Sequence, residues 1–200
     1  MKINYDKKMQ ESIENLNSTK EKLLLHVCCA PCSSAVLERL KPYFLTSVYF
    51  YNPNMDTEDE FNRRAKEAER FITKSGLAEE CVIIPYRHEE YLSKINGLES
   101  EPEGGGRCER CFRLRLENAA RYAKEHGFLW FTTTLTISPH KNADLLNELG
   151  KEIAETYGVN YLESDFKKRN GYLRSIELAK EYELYRQDYC GCEFSLRAKE

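Results

Sequence analysis

No stretch of this 200-residue chain approaches the roughly 18 consecutive apolar residues that span a bilayer, so a transmembrane helix is excluded. The first twenty residues, MKINYDKKMQESIENLNSTK, lack the apolar centre of a secretory signal. A cytoplasmic protein with no membrane partner is therefore expected. An excess of charge of one sign is also missing: the formal net charge is −3. Any nucleic-acid contact must then come from a local patch, not from the field of the whole molecule. We find no internal repeat, low-complexity tract or linker, so residues 1–200 are expected to form one domain, with about 1–20 as a mobile or helical lead-in. At 41% hydrophobic and 12% aromatic residues, the composition suits a packed core and not a disordered chain.

What the chain does have is eight cysteines: Cys28, Cys29, Cys32, Cys81, Cys108, Cys111, Cys190 and Cys192. Without a secretion signal, a disulfide scaffold is the less expected use of them, and metal or redox chemistry the more expected one. Seven fall into three tight groups, CCAPC at 28–32, CERC at 108–111 and CGC at 190–192. Cys81 stands alone at the start of the apolar run CVIIP and reads as a small hydrophobe of the core.

Periodicity places these groups. Apolar runs at 22–27, 44–51, 81–85, 128–134 and 159–162 read as short strands. Helical spacing covers 33–40, 57–74, 88–95, 108–126, 142–157 and 172–185. Thr57 is a candidate N-cap, and Gly127 and Gly158 follow helix ends. The alternation of strand and helix predicts an α/β fold, an open and mostly parallel sheet with helices on both faces. Ligands of such sheets bind outside the carboxyl ends of the strands, where the strand order reverses. CCAPC and Thr132-Thr133-Thr134 are both expected on that rim.

The spacings restrict the chemistry. Adjacent Cα atoms lie about 3.8 Å apart, closer than an unstrained disulfide wants, so Cys28 and Cys29 suit two ligands of one metal site. Cys108 and Cys111 are three apart on a helix and share a face. Two and two make four thiolates, which fit an iron–sulfur cluster or a structural zinc, and spacing does not separate the two. Cys190-Gly191-Cys192 can close a small, strained and hence reducible disulfide ring, or stay as two free thiols. Cys32 opens a helix, where it is a further ligand or a helix-start thiol with no role.

Around CERC stand four arginines, Arg107, Arg110, Arg113 and Arg115, against a single Glu109. They offset the charge of a cluster, contact phosphate, or form a solvated helix face. Lys167-Lys168-Arg169-Asn170 is a second basic spot and a phosphate candidate.

LLLHVCCAPCSS, FYNPN, CERCFRLRL, TTLTISPHKN and YRQDYCGCEFS, in this order from about Leu23 to Ser195, resemble the cobalamin-independent epoxyqueuosine reductase family. The resemblance implies a fold similar to the adenine nucleotide α-hydrolase type. It implies reduction of epoxyqueuosine to queuosine at the wobble position of tRNA, the last step of queuosine biosynthesis. It further implies a [4Fe–4S] cluster on Cys28, Cys29, Cys108 and Cys111, a redox-active pair at Cys190 and Cys192, and an additional iron beside the cluster. The partners would be tRNA carrying epoxyqueuosine in its anticodon loop and an unidentified electron donor. Asp165, Asp188 and His140 are candidate proton donors, and Tyr51, Tyr172 and Tyr189 candidate platforms for the base. Two rivals stand beside this reading. A tRNA-thiolating enzyme of the nucleotide-binding fold needs a Gly/Ser-rich loop after the first strand, where this chain has cysteines. A non-catalytic Cys₄ zinc module would bind zinc alone.

Overall fold

The computed structural model describes residues 3–16 and 19–195. Five strands, β1 (Glu21–His26), β2 (Phe44–Phe50), β3 (Cys81–Ile83), β4 (Trp130–Thr133) and β5 (Asn160–Tyr161), form one sheet in the order β3-β2-β1-β4-β5. Every pairing is parallel; Leu25 lies between Val48 and Thr132. Consecutive side chains of a strand point to opposite faces, and the core divides accordingly. Leu23 and Leu25 pack on one face with Val48 and Phe50, beneath α2 (Ala30–Leu40), α3 (Glu58–Ser75) and α7 (Gly171–Glu181). Leu24 and Phe131 pack on the other, beneath α4 (His88–Ile95), α5 (Gly106–Glu125) and α6 (Ala143–Tyr157). This is the expected open α/β sheet, with helices on both faces. No helix among the described residues is long and apolar enough to cross a membrane.

From β1 the chain builds outward through β2 and β3, then returns to place β4 on the other side of β1. The strand order therefore reverses between β1 and β4, and a crevice opens at their carboxyl ends. At Gly150 α6 comes so close to β5 that an added Cβ would stand 2.3 Å from the Tyr161 ring.

Two helix ends differ from the sequence expectation by three residues or more, each for a local reason. α2 begins at Ala30 and not at Ser33, because Pro31 sits in the first turn, where a missing N–H costs nothing. α7 stops at Glu181 and not at Tyr185: Glu183 adopts φ 53, which turns the chain and releases 182–190 to run back toward the crevice. The amino-terminal segment forms a packed helix, α1 (Tyr5–Glu14), capped by Asn4 and burying Met9 and Ile13. Residues 1, 2, 17 and 18 of the expected lead-in lie outside the described residues.

Asp6 fastens α1 to the body, accepting from Arg39 Nη2 at 2.5 Å and from Arg169 Nε at 2.8 Å. Burial raises the Asp6 carboxyl, but the two guanidinium groups outweigh it and hold the pKa below the ordinary aspartate value. A carboxyl lowered in the folded state stabilises it at pH values above the unfolded pKa and loses that contribution as pH falls through the folded one. Asp6→Asn is expected to lower stability by about 1–2 kcal/mol at neutral pH, with the difference from wild type shrinking in acid. Urea melts at pH 7 and pH 3 check this.

A thiol-lined cavity at the carboxyl edge of the sheet

Cys28 and Cys29 lie just beyond the end of β1, and Cys29 is the N-cap of α2. Pro31 pulls the helix start back to Ala30, so the curl that follows the strand turns Cys28, Cys29 and Cys32 toward one another. Their sulfurs all lie within 4.8 Å, a group that could hold a metal ion. The Cys28 and Cys29 sulfurs are 3.8 Å apart, about the edge of a tetrahedron with 2.3 Å metal–sulfur bonds. Cys32, undecided in the sequence, thus stands with the other two.

The thiols of this group share protons unequally. Hydrogen bonds from Cys29 and Cys32 hold the Cys28 pKa well below the ordinary thiol value; burial opposes this, and Arg115 and Lys141 reinforce it. The hydrogen bond to Cys28 is the main cause that pushes Cys29 up to about 12. The same partners raise Cys32 well above the usual value.

The turn that follows β4 supplies the opposite wall. Thr134 Oγ1 lies 3.4 Å from the Cys28 N–H and 3.7 Å from its sulfur. Cys28 and Cys32 open onto a cavity of about 460 Å³, with Cys190, Lys141, His140 and Asp188 also on its wall. Tyr172 of α7 and Tyr189 of the returning segment line it as well. Lys141 was not singled out from the sequence; its neighbour His140 was. Burial works against the Lys141 charge, but the thiols of Cys190, Cys28 and Cys32 outweigh it and raise its pKa. A lysine one residue beyond a recognised histidine carries no periodic signal, so only the structure finds it.

Of the four arginines around CERC, Arg115 bears on the Cys28 and Cys111 thiols. Its Nη2 donates to Asn52 Oδ1 at 2.5 Å and its Nε to His26 Nε2 at 3.3 Å. His26, fully buried, is held down to about pKa 3, first by burial and then by Arg115, so its ring is neutral. Its Nδ1 lies 2.8 Å from Thr133 Oγ1, and its Nε2 also lies 3.2 Å from the Tyr51 carbonyl oxygen. The partners that hold Arg115 are thus uncharged, and no ion pair to a carboxylate is found for this buried guanidinium among the described residues. Burial depresses its pKa, but Cys111, Cys28 and Cys190 outweigh this and raise it. Arg113 pairs instead with Glu152 at 2.8 Å, Arg107 donates to the carbonyls of Glu99 and Glu101, and Arg110 is exposed.

Cys108 and Cys111 sit in the first turns of α5. Cys111 is buried, and burial pushes its pKa up to about 12. Cys108 is half-buried and accepts from the Gly104 N–H at 3.2 Å. These two do not join the tight three-thiol group. They reach the same surroundings through Arg115 and through the 190–192 loop, which bears on both. In that loop both cysteines are free thiols. Cys190 faces the cavity, whereas Cys192 is buried and donates to Ser195 Oγ at 3.4 Å.

Other candidates fall elsewhere. Lys167 pairs with Asp165 at 2.6 Å and Arg169 with Asp6, while Lys168 is exposed, and Asp165 is absent from the cavity wall. Tyr51 is buried and donates to Glu90 at 2.6 Å. Cys81 is half-buried at the sheet edge, against the core, and its thiol is pushed up to about 12 by burial.

A family model described as epoxyqueuosine reductase QueH matches residues 23–198. Proteins of the same name are similar to this chain. The one from Streptococcus pyogenes serotype M1 is 44% identical, covering 98% of this chain and 79% of its own length. That from Staphylococcus epidermidis is 46% identical, covering 97% and 85%. The Thermotoga maritima protein is 34% identical, covering 87% and 90%.

Proposed function

This chain belongs to the epoxyqueuosine reductase QueH family, oxidoreductases of queuosine biosynthesis, and we propose that it reduces epoxyqueuosine at the tRNA wobble position to queuosine. One observation carries the reading: Cys28, Cys32 and Cys190 open onto a single cavity at the strand-order reversal, with Lys141 on its wall.

The donor set supports a thiolate-bound metal group. Thiolates suit iron–sulfur clusters and zinc, and the buried Arg115, held by neutral partners, leaves room for an anionic occupant. In this reading Cys28, Cys29, Cys108 and Cys111 hold a [4Fe–4S] cluster, and Cys32 contributes to an additional iron. Such a group supplies one-electron transfer when bound, and an iron beside it supplies Lewis acidity.

The protein's own residues cover the rest. Conversion of epoxide to alkene and water takes two electrons and two protons. Two thiols closing to one disulfide release two of each, and Cys190 on the cavity wall with Cys192 behind it would be that pair. Lys141 balances thiolate charge on the wall. Asp188 and His140, also on it, are in place to give a proton to the departing oxygen, which Asp165 is not. The base must leave the anticodon stack to enter, as single-stranded RNA sites allow. Tyr172 and Tyr189 could then stack on it; Tyr51, outside the cavity, could not. The electron donor that restores the dithiol is a separate, unidentified partner, and the reaction belongs to the cytoplasm.

Tyr172→Ala is expected to weaken binding of the modified anticodon stem-loop by roughly tenfold, the worth of one base–aromatic stack, while Tyr51→Phe leaves it unchanged. Fluorescence anisotropy measures both. The activity itself is tested by nucleoside analysis after anaerobic incubation of the reduced protein with epoxyqueuosine-containing tRNA.

A further inference from the structure

The 190–192 loop is held from behind by α3. Arg64, in the second turn of that helix once Thr57 has capped it, is 1% exposed. Its Nε donates to Glu60 Oε1 at 2.6 Å and its Nη1 to the Cys190 carbonyl at 3.2 Å. Beside it the Asp56 N–H donates to the Gly191 carbonyl at 2.8 Å, and Tyr189 Oη donates to Asp56 Oδ1 at 3.2 Å. The Arg64 guanidinium also lies over the Tyr189 ring, 5.1 Å from its centroid. Two successive peptide carbonyls of CGC are therefore pinned by residues far away in sequence.

Gly191 completes the arrangement. It has φ +120, a conformation that L residues rarely adopt, and a Cβ there would stand 3.3 Å from Arg64 Nη1. The glycine thus both permits the loop conformation and lets the guanidinium lie against it. Arg64 Nη2 is buried with no acceptor, a cost that marks the position as held for something other than stability alone. In the pinned conformation Cys190 faces the cavity while Cys192 is turned inward to Ser195, so the two thiols serve different sides of the loop.

We propose that Arg64 is a positioning residue that holds the Cys190–Cys192 loop in its dithiol conformation and so makes the disulfide easier to reduce. The inference rests on the redox-pair reading given above. The step it governs is balanced: each thiol loses one hydrogen, one S–S bond forms, and the two electrons and two protons convert the epoxide to alkene and water. An incoming dithiol then reverses the S–S bond by exchange. A loop restrained toward the dithiol gives up its disulfide readily.

The test equilibrates metal-loaded protein anaerobically with glutathione redox buffers, then traps free thiols by alkylation. Tryptic peptide 187–197 contains Cys190 and Cys192 and no other cysteine, so it reports the pair alone. Arg64→Met is expected to shift the equilibrium toward the disulfide by about tenfold or more, equivalent to about 30 mV more negative per tenfold. Arg64→Lys keeps the charge but not the fork that spans Glu60 and Cys190. It should fall between wild type and Arg64→Met, and it decides the matter if Arg64→Met does not fold. Arg113→Met, which loses only a surface pair with Glu152, should match wild type. Equal potentials in wild type, Arg64→Met and Arg64→Lys overturn the proposal and leave the redox pair standing. A wild-type pair that forms no disulfide in any buffer overturns both.

Discussion

Cys190→Ser is expected to stop multiple-turnover reduction, lowering it by at least about a thousandfold, because a serine cannot close the disulfide that supplies the electron pair. Cys192→Ser should lose turnover equally, but the two positions differ in access. Cys190 lies on the cavity wall and Cys192 is buried against Ser195. Alkylation of the folded, reduced protein should therefore modify Cys190 first, and peptide mapping over time gives the order. A Cys190→Ser protein with wild-type turnover removes the pair from the mechanism and leaves the metal group to act without it.

The second large effect is on metal content. Cys29→Ser and Cys111→Ser are each expected to reduce bound iron and sulfide to about a tenth of wild type or less, since a cluster that loses a buried thiolate loses one of its four anchors. Cys32→Ser should keep the cluster and lose only the iron beside it, and Cys81→Ala should lose neither. The protonation pattern sets the pH dependence. The Cys29 and Cys111 thiols are each pushed up to about 12, so without metal they are protonated at neutral pH. Binding must displace those protons, so loading should release acid and weaken as pH falls. Iron and sulfide assays at pH 6 and pH 8 check the direction. If Cys111→Ser kept full iron and sulfide while Cys32→Ser lost them, the four-thiolate assignment would be wrong.

The two faces of the sheet, the Thr57 cap and the helix end at Gly158 were readable because period-2 and period-3.6 patterns and cap residues are local signals. The meeting of CCAPC with the threonine run at the end of β4 was readable too, since strand alternation places both at the carboxyl edge. What stayed hidden depends on contacts between distant segments. Neutral His26 and Asn52 hold Arg115, and nothing in CERCFRLRL marks that arginine apart from its three neighbours. Lys141 gains its meaning from Cys190, Cys28 and Cys32, none of them near it in sequence. Arg64 lies in a charged helix whose pattern reads as surface, and it becomes buried only because the 182–190 segment folds back over it. The early stop of α7 that allows this return turns on the left-handed conformation of Glu183, a residue type with no preference for it.

The most direct measurement is nucleoside analysis of epoxyqueuosine-containing tRNA after anaerobic incubation with the iron-loaded, fully reduced protein, read by mass spectrometry. Queuosine should appear, one oxygen atom lighter than the starting nucleoside, in an amount that reaches one per protein without added reductant and exceeds it with one. Unchanged epoxyqueuosine in the presence of protein carrying its full iron and sulfide would contradict the reductase reading, and so would a protein purified anaerobically with stoichiometric zinc and neither iron nor sulfide.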